Sequence, residues 1–427
     1  MQILVIGGGV AGLVCARTLH RKGYEVTLIE ADDGLGGRVR SDRVEGFTLD
    51  RGFQVLFTAY PAAQRQLDFT ALDLRAFDPG AIVAWQGRHY MLTDPLRDRE
   101  PGALLAAVLA PVVPFSDKLR TLQVSLRMRR QTIDELLAGP DRTTSDELRA
   151  LGFSDQMIDR FFRPFFGGIF LDRSLQTSAK CFRFNFKMMS DGATVVPNRG
   201  MGAIAEQLGS ELLKAGRVCL KTRATALLHN GDTVIGVRLD DESERLADAV
   251  VLATPAPETA RLSQLPVPTG QLGSSCVWLA TRTPLYRGKK LLLNADQNAF
   301  VNTLAPLSAV APGYAPEGWH LYAAAILGVP QSDDSTVIAR TMVDLNRIFV
   351  NDRAATTALA NARILRVNRI PFAQFPQPPG LHPTLPANRT TRRGLYLAGE
   401  LTEASSINAA MLSGERCAEA IQSDLPR

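Results

Sequence analysis

The first thirty residues constrain the fold of this chain more than any other stretch. The run Gln2–Ile6 is typical of a buried parallel strand, and Gly7, Gly9 and Gly12 follow it in the spacing G-x-G-x-x-G. A helical run then leads to a second apolar run, which ends at Glu30. In such a unit the first glycine permits the tight turn, the second lets the backbone approach a pyrophosphate, and the third lets the helix pack on the strand. The pattern therefore predicts a dinucleotide site, with the diphosphate at the helix N-terminus and Glu30 on the ribose of an adenosine.

A second glycine turn narrows the kind of dinucleotide. Gly36, Gly37 and Arg38 follow Glu30 closely, and the glycine-containing segment Glu45–Gln54 comes next. A nicotinamide dinucleotide has no obvious need for a second turn there, whereas a flavin dinucleotide is longer and more of the chain must close around it. Arg38 can supply positive charge to the phosphates. Taken alone, Arg38 is also compatible with a solvated surface arginine.

Length and composition set the broad class. The 427 residues suggest two or three domains, and 45% apolar residues suffice for a sizeable core. A net charge of +5 is too diffuse to indicate nucleic acid binding but is compatible with an anionic membrane surface or an acidic ligand. The five cysteines form no C-x-x-C motif, which favours a reducing compartment. A strand that begins at Gln2 leaves no room for a signal peptide, and no apolar run is long enough to span a membrane. We therefore expect a cytoplasmic protein.

Several segments at both ends and in the middle of the chain resemble the flavin-dependent amine oxidase superfamily, especially its protoporphyrinogen oxidase and phytoene desaturase branches. These segments are Ile6–Gly12, Glu30–Arg38, Asp50–Gly52, Pro197–Met201, Val250–Pro255 and Gly394–Ile421. The resemblance implies an α/β fold in which a Rossmann-type FAD-binding domain of the GR2-like kind carries a discontinuous α+β substrate domain. It assigns residues 1–57, 198–259 and 388–427 to the FAD-binding domain, and residues 58–197 and 260–387 to the substrate domain.

The resemblance also implies the cofactor contacts. In the family an acid, here Glu400, lies near the ribityl chain and pyrophosphate of FAD. The last helix, for which Ser405 or Ser406 is the candidate N-cap, points its N-terminus at the flavin edge where negative charge gathers on reduction. No cysteine occupies the family's covalent attachment position, so we expect non-covalent FAD. The expected contact residues are Gly7, Gly9, Val10, Ala11, Gly12, Glu30, Ala31, Gly36, Gly37, Arg38, Gly52, Phe53, Gln54, Ala224, Thr254, Gly399, Glu400, Ser406, Ile407 and Asn408.

Two departures from the amine oxidases bear on the substrate. Gly273–Trp278 lacks the lysine that amine oxidases commonly keep near the flavin, and Glu403–Ile407 lacks the aromatic residue of their amine cage. We therefore favour an oxidase or desaturase that removes hydride from a large apolar molecule, such as a carotenoid-like polyene or a tetrapyrrole. A second G-x-G-x-x-G motif for NAD(P)H is absent, which favours oxygen or a quinone as electron acceptor. Catalytic residues beyond the flavin are not identified.

Three alternatives remain open. The first is an amine oxidase acting on a smaller amine, and the second is a non-catalytic FAD-binding protein. The third is a flavin mutase acting on a nucleotide sugar, which would need a basic nucleotide pocket that the sequence does not reveal. A hydrolase or metalloenzyme is unsupported, because no Ser-His-Asp set, metal-spaced cluster or P-loop motif is visible.

Two apolar segments bear on the substrate and on a peripheral membrane contact. Ala103–Phe115 is almost purely apolar, and Pro111 and Pro114 are expected to break any helix there. It is either a core segment or cavity wall, or a membrane contact. Phe161–Phe170 holds five phenylalanines, which either line an apolar pocket or pack in the core. The basic residues that flank the first segment are Arg97, Arg99, Lys118, Arg120, Arg127, Arg129 and Arg130.

Local patterns predict some of the remaining elements. Ala81–Leu92 has the pattern of a β-hairpin around Gln86-Gly87. Helical periodicity covers Asp117–Leu137, Thr144–Leu151 and Ala203–Ala215.

Overall fold

The computed structural model describes residues 1–94, 97–98 and 102–426, without the side chains of residues 103 and 104. The strands are β1 (Gln2–Ile6), β2 (Glu25–Ile29), β3 (Ser41–Val44), β4 (Phe47–Asp50), β5 (Leu56–Phe57), β6 (Leu74–Ala76), β7 (Ala81–Trp85), β8 (Arg88–Leu92), β9 (Thr194–Pro197), β10 (Val218–Cys219), β11 (Ala224–Asn230), β12 (Thr233–Leu239), β13 (Glu244–Leu246), β14 (Ala249–Leu252), β15 (Leu272–Thr281), β16 (Leu291–Asn294), β17 (Thr303–Ala305), β18 (His320–Leu327), β19 (Arg363–Gln374) and β20 (Leu395–Leu397).

The helices lie between these strands and at the C-terminal end. They are α1 (Val10–Arg21), α2 (Pro61–Gln66), α3 (Ala103–Leu109), α4 (Phe115–Arg130), α5 (Ile133–Ala138), α6 (Thr144–Ala150), α7 (Asp155–Met157), α8 (Arg163–Phe170), α9 (Ala179–Asp191), α10 (Gly202–Lys214), α11 (Ala256–Ser263), α12 (Leu307–Val310), α13 (Asp334–Ile348), α14 (Arg353–Ala360) and α15 (Ile407–Asp424). A π-helical turn, Ile158–Phe162, leads into α8, and short 3₁₀ turns cover Pro312–Tyr314, His382–Thr384 and Glu400–Thr402.

A five-stranded parallel sheet places the glycine turn. Its strand order is β10-β2-β1-β14-β20, so β1 lies between β2 and β14. Ile3 stands opposite Val26 on one side and Ala249 on the other. Because the strands are parallel, their carboxyl ends meet at one edge, and this is the edge where a doubly wound sheet binds its ligand. Helices α1, α10 and α15 pack around one large core, whereas strands β11, β12 and β14 enclose a separate, smaller core.

A seven-stranded mixed sheet forms the second layer. Its order is β19-β15-β18-β17-β16-β7-β8. Helices α13 and α14 contribute buried residues to the core on one face, while α8 and α9 pack with β7 and β16 in another core. The hairpin predicted for Ala81–Leu92 is confirmed as β7 and β8. The described strands of this sheet come only from the ranges 58–197 and 260–387, whereas those of the parallel sheet come from the other three ranges. The exact domain bounds stay a prediction.

One predicted helix proved to be two. The periodicity over Asp117–Leu137 predicts a single helix, but α4 ends at Arg130 and α5 begins at Ile133. Thr132 is the cause, because its hydroxyl accepts a hydrogen bond from Glu135 N and the Glu135 carboxylate accepts one from Thr132 N. The other two predicted helices are observed as α6 and α10, each within a residue of its predicted ends.

The apolar run Ala103–Phe115 divides between the core and the surface. The expected break at the prolines is confirmed, since α3 ends at Leu109, just before Pro111, and the next helix begins at Phe115, just after Pro114. Ala107, Ala110, Val112 and Val113 are buried, whereas the exposed large side chains described in this run are Leu105, Val108, Leu109 and Phe115. Arg99, expected to flank this run, lies outside the described residues. Within the described part of the chain, no helix is long and apolar enough to cross a membrane.

Candidate functional site

The first glycine turn is shaped by close backbone approaches. A Cβ atom added at Gly7, whose φ is +109°, would lie 2.6 Å from Ala253 O, and one at Gly12 would lie 2.0 Å from Gly7 O. Gly9 differs, because an added Cβ would meet no heavy atom within 4 Å. Open space therefore lies beside Gly9, next to the first amides of α1 at Val10 and Ala11, which have no acceptor within the helix. This combination suits a phosphate group.

Glu30 is fixed beside this turn by two backbone groups. Its Oε2 atom accepts a hydrogen bond from Gly8 N at 2.6 Å, and its Oε1 atom accepts one from Asp32 N at 2.8 Å. The intervening residue, Ala31, is half-buried. These bonds hold the carboxylate at the carboxyl end of β2, where it can accept hydrogen bonds from ribose hydroxyls.

The second glycine turn lies directly on the first. Gly36 N donates to Gly8 O at 2.8 Å, and Gly36 pairs with Gly9 in a short parallel bridge. A Cβ atom added at Gly37 would lie 3.6 Å from the Cα atom of Gly9. The two turns that the sequence separates by the whole of α1 and β2 therefore enclose the open space at Gly9 from two sides.

Arg38 and Glu400 form an ion pair. Arg38 Nη1 lies 2.5 Å from Glu400 Oε1 and donates a second hydrogen bond to Ala373 O at 2.7 Å. The guanidinium also lies 5.6 Å from the centre of the Phe372 ring. Part of the Arg38 charge is thus compensated by Glu400, and the pair joins the second glycine turn to the last strand and to β19. The expected roles of both residues toward FAD stay predictions.

Replacing Arg38 with methionine should weaken FAD binding about 10- to 100-fold, since Glu400 would be left as an uncompensated carboxylate near the predicted position of the diphosphate. The measurement is a fluorescence titration of the apoprotein with FAD. The double variant Arg38→Met/Glu400→Gln should recover part of the loss. Arg389→Met, which breaks the exposed Arg389–Asp424 pair, is the matched control. FAD affinity unchanged in Arg38→Met would mean that Arg38 is only a surface arginine.

The segment 52–54 is held between the second glycine turn and β19. Gln54 Nε2 donates to Arg38 O at 2.7 Å and to Arg51 O at 3.0 Å. Gly52 has a φ of +82°, and a Cβ atom added there would lie 2.6 Å from Ile370 Cδ1. Phe53 packs edge-on against Phe77 at 6.2 Å between ring centres.

The N-terminus of α15 has the predicted cap. Ser406 is the N-cap, and its hydroxyl accepts a hydrogen bond from Ala409 N at 3.0 Å. Ser405 is not the cap. Its backbone N–H instead donates to Gln377 Oε1 at 3.0 Å. Asn408 is buried, and its Oδ1 atom accepts a hydrogen bond from Ala62 N at 3.0 Å, so this side chain holds the start of α2. Ile407 is half-buried against the central core.

Three other expected contact residues lie at the start of a strand or just beyond its end. Ala224 is buried at the start of β11, and Thr254 follows β14 with its hydroxyl 2.8 Å from that of Thr259. Gly399 follows β20 with a φ of +150°, and its N–H donates to Ser413 Oγ at 2.8 Å. Ser413 was missed by the sequence analysis, because nothing in its local pattern distinguishes it from any other helical serine.

Asp50, the first residue of the segment Asp50–Gly52, is a buried carboxylate next to this site. Asp50 is 1% exposed and accepts hydrogen bonds from Tyr314 OH at 2.7 Å and from Met201 N at 2.9 Å. Ser41 Oγ donates a third. Burial raises the pKa of Asp50 to about 6, although the hydrogen bonds from Ser41, Tyr314 and Met201 oppose the shift. No local signal predicts these partners, since Tyr314 lies 264 residues away.

The residues present fit a flavin dinucleotide. The observation that carries this fit is the open space at Gly9, bounded by two glycine turns and a helix N-terminus, with the Glu30 carboxylate held at the end of the neighbouring strand. In the described ranges, no group of three or more histidine, cysteine, aspartate or glutamate residues could hold a metal ion.

A parallel sheet with two stacked glycine turns at its carboxyl edge, beside a mixed sheet, defines a dinucleotide-binding α/β protein. The sequence model described as flavin containing amine oxidoreductase matches residues 10–422. The chain belongs to this family, and it is an FAD-dependent oxidoreductase.

Relatives with curated names agree with the branch suggested by the sequence. The chain is 25% identical over 469 residues to 15-cis-phytoene desaturase of Capsicum annuum, covering 99% of this chain and 78% of that protein. It is 25% identical over 167 residues to protoporphyrinogen oxidase 2 of Arabidopsis thaliana, covering 39% and 32% of the two chains.

Solved structures share the fold. An oxidoreductase from Methanosarcina mazei superposes with a TM-score of 0.69 at 18% identity, over 98% of this chain and 100% of that one. Putrescine oxidase bound to putrescine superposes with a TM-score of 0.70 at 17% identity, over 99% of both chains. At these identities the likeness concerns the fold alone.

Proposed function

We propose that this protein removes hydride from a large apolar molecule, such as a carotenoid-like polyene or a tetrapyrrole, and passes the electrons to oxygen or a quinone. Bound FAD would supply the ring system that accepts the hydride. The residues of the chain would bind and orient the substrate and exclude water, so that little need arises for a protein base.

The observation that carries this proposal is an apolar face of α8, which is hydrogen-bonded to the same end of β19 that Arg38 contacts. Phe161 and Phe165 are half-buried and stack with an interplanar angle of 8° and 5.4 Å between ring centres, and Ile169 lies one turn further on. Ile169 O accepts a hydrogen bond from Gln374 Nε2 at 2.8 Å. The residue before Gln374, Ala373, is the one that Arg38 contacts. These half-exposed side chains therefore suit the wall of an apolar substrate cavity.

The phenylalanine segment thus has two faces. Phe162, Phe166 and Phe170 are buried in the core beneath α8 and α9, which is ordinary packing. Phe161 and Phe165 lie on the adjacent, half-exposed face and pack against the edge of the same core. Only the second pair supports a role in substrate binding.

The lysines of the protein also favour an apolar substrate over an amine. Strand β15, which contains Gly273–Trp278, carries no lysine. The two buried lysines in the described part of the chain are engaged elsewhere: Lys187 donates to two carbonyl groups at the end of α4, and Lys290 pairs with Asp98 at 2.7 Å. The match to phytoene desaturases over almost the whole chain supports the same substrate class.

The second candidate function is oxidation of a smaller amine. The observation that favours it is the match of residues 10–422 to the flavin containing amine oxidoreductase family. An amine oxidase of this kind would react with simple amines in water without any need for detergent or lipid.

Anaerobic mixing of the FAD-loaded protein with a panel of substrates separates these functions. We expect the flavin absorbance to bleach with a polyene precursor or a protoporphyrinogen in detergent, and to stay unchanged with putrescine and other simple amines. Phe165→Ser should slow the bleaching about tenfold or more, because it removes apolar contact area. Leu246→Ser, at an exposed apolar residue on β13, should not slow it.

The other outcomes of the panel would each indicate a different function. Rapid bleaching by a simple amine alone would overturn the apolar substrate and support the second candidate. Stable flavin absorbance with every compound would favour a non-catalytic FAD-binding protein. Oxygen or a soluble quinone is then added to the bleached protein, and the one that restores the flavin absorbance is identified as the electron acceptor.

A further inference from the structure

The exposed large apolar side chains of this protein are concentrated on two neighbouring helices. Six of the eleven among the described residues lie on α3 and α4, and the other five lie elsewhere in the chain. The six are Leu105, Val108, Leu109, Phe115, Leu119 and Leu126, with exposed fractions of 62%, 42%, 68%, 54%, 48% and 41%. Large exposed apolar side chains that are concentrated in this way mark an interaction surface rather than an ordinary protein surface.

The two helices form one surface. Lys118 Nζ, on α4, donates to Val108 O at 2.9 Å and to Ala110 O at 2.6 Å, at the C-terminal end of α3. On α4, the apolar residues Phe115, Leu119 and Leu126 lie at positions i, i+4 and i+11, which fall within one stripe of the helix. The opposite face of α4 is buried through Val124 and Met128. Helix α4 thus packs on the core with one face and presents the apolar stripe outward.

The charges on this surface have one sign. Helix α4 carries five basic residues and one acid. The acid, Asp117, is 1% exposed and is occupied by hydrogen bonds from Ser154 and an ion pair with Arg120. Arg127 and Arg130 are exposed near the C-terminal end of the stripe. An apolar stripe bordered by basic side chains matches a bilayer with anionic headgroups, in which the apolar residues enter the acyl region and the arginines meet the phosphates.

We propose that α3 and α4 form a monotopic docking surface for an anionic lipid bilayer. A second copy of this chain is a poorer occupant, because a twofold interface would bring the same arginines of both copies together. The proposal does not depend on the proposed substrate, since it concerns a surface and can be tested with lipid alone.

The test is co-sedimentation of the FAD-loaded protein with vesicles of phosphatidylcholine, either alone or mixed with phosphatidylglycerol. We expect the wild type to bind the mixed vesicles more tightly, and the Phe115→Ser/Leu119→Ser variant to lose about tenfold or more of its partition into them. Arg127→Glu/Arg130→Glu should lose about fivefold or more for each charge on mixed vesicles, and should change little on phosphatidylcholine alone.

Matched variants control for general effects of these substitutions. Leu246→Ser/Val350→Ser removes apolar side chains that are somewhat more exposed, and Arg245→Glu/Arg353→Glu inverts exposed charges elsewhere on the surface. Both control variants should bind vesicles like the wild type. Bound FAD, read from its absorbance, reports that each variant is folded, because the substituted residues lie outside the cofactor site.

Three results would overturn the proposal. The wild type would fail to bind either kind of vesicle, or the α3–α4 variants would bind as well as their controls. Alternatively, sedimentation velocity without lipid would show a dimer that Phe115→Ser/Leu119→Ser converts into a monomer, in which case a second copy covers the surface. None of these results bears on bleaching by substrates, so the proposed function would stand or fall separately.

Discussion

Replacing Gly12 with alanine is expected to abolish FAD retention and to destabilise the protein by about 3 kcal/mol or more. The added Cβ would lie 2.0 Å from Gly7 O and 3.0 Å from the Cβ of Ala253. The first of these atoms belongs to the backbone of the glycine turn, so no change of rotamer relieves the contact. The helix must therefore shift away from β1 and β14, and the amides at its N-terminus move with it.

Gly9→Ala is the matched variant, for which we expect a small loss of stability but a large loss of FAD affinity. The backbone at Gly9 has φ −72° and ψ 175°, which alanine adopts readily, and the added Cβ meets no neighbour. The stability of the apoprotein should fall by less than about 1 kcal/mol, most of it from the change of N-cap residue. FAD affinity should nevertheless fall more than about tenfold, because the methyl group occupies the space assigned to the pyrophosphate.

Two measurements separate these effects. Thermal unfolding of the apoproteins reports the packing cost, and fluorescence titration with FAD reports the binding cost. The interpretation fails if Gly9→Ala binds FAD as tightly as the wild type, since the open space would then not face the cofactor. It also fails if Gly12→Ala unfolds at the temperature of the wild type, because the close approach would then be relieved at no cost.

The part of the site that could be predicted from sequence is the part in which local spacing determines geometry. The strand, the glycine turn, the helix and Glu30 follow one another within thirty residues, so each is recognised from its neighbours. The cap at Ser406 was predictable for the same reason. The Thr132–Glu135 capping box is also recognisable from sequence as a T-x-x-E pattern. The prediction of a single helix across α4 and α5 did not take this pattern into account.

The pairing of Arg38 with Glu400 could not be derived from local spacing, because the two residues lie 362 positions apart. Which groups compensate a charge depends on which strands become neighbours, and β14 joins the N-terminal and C-terminal parts of the parallel sheet. The distribution of α3 between core and surface is similar. Its composition is apolar throughout, so only the packing of the neighbouring elements determines which side chains remain in water.

The second large expected effect is a change in the stability of the protein with pH. Asp50 lies on β4, and its partners belong to β3, to the start of α10 and to the turn Pro312–Tyr314. Its pKa is raised from 3.8 to about 6, chiefly by burial. For an acid with a raised pKa, the folded state binds a proton more tightly than the unfolded state does. The contribution of protonated Asp50 to the free energy of unfolding is therefore complete below pH 3.8 and is lost as the pH rises to about 6.

The expected size of this loss is about 3 kcal/mol, since each pKa unit corresponds to about 1.4 kcal/mol. Asp50→Asn keeps an oxygen acceptor at the same place but does not titrate. The difference in unfolding free energy between the variant and the wild type should therefore shift in favour of the variant by about 3 kcal/mol between pH 4 and pH 7, and stay constant above pH 7. Taking the difference cancels the other titrating groups, which both proteins share.

Denaturant unfolding of the apoproteins across this pH range is the measurement. Tyr314→Phe is the control, because it should shift the pH range over which the stability falls. Its hydroxyl donates to Asp50 Oδ2 and lowers the pKa of that carboxyl. Removing the hydroxyl should raise the pKa further, so the stability should continue to fall above pH 6 before it becomes constant. A difference between Asp50→Asn and the wild type that does not change with pH would mean that Asp50 is charged in the folded protein throughout, and that its three hydrogen bonds outweigh the cost of burial.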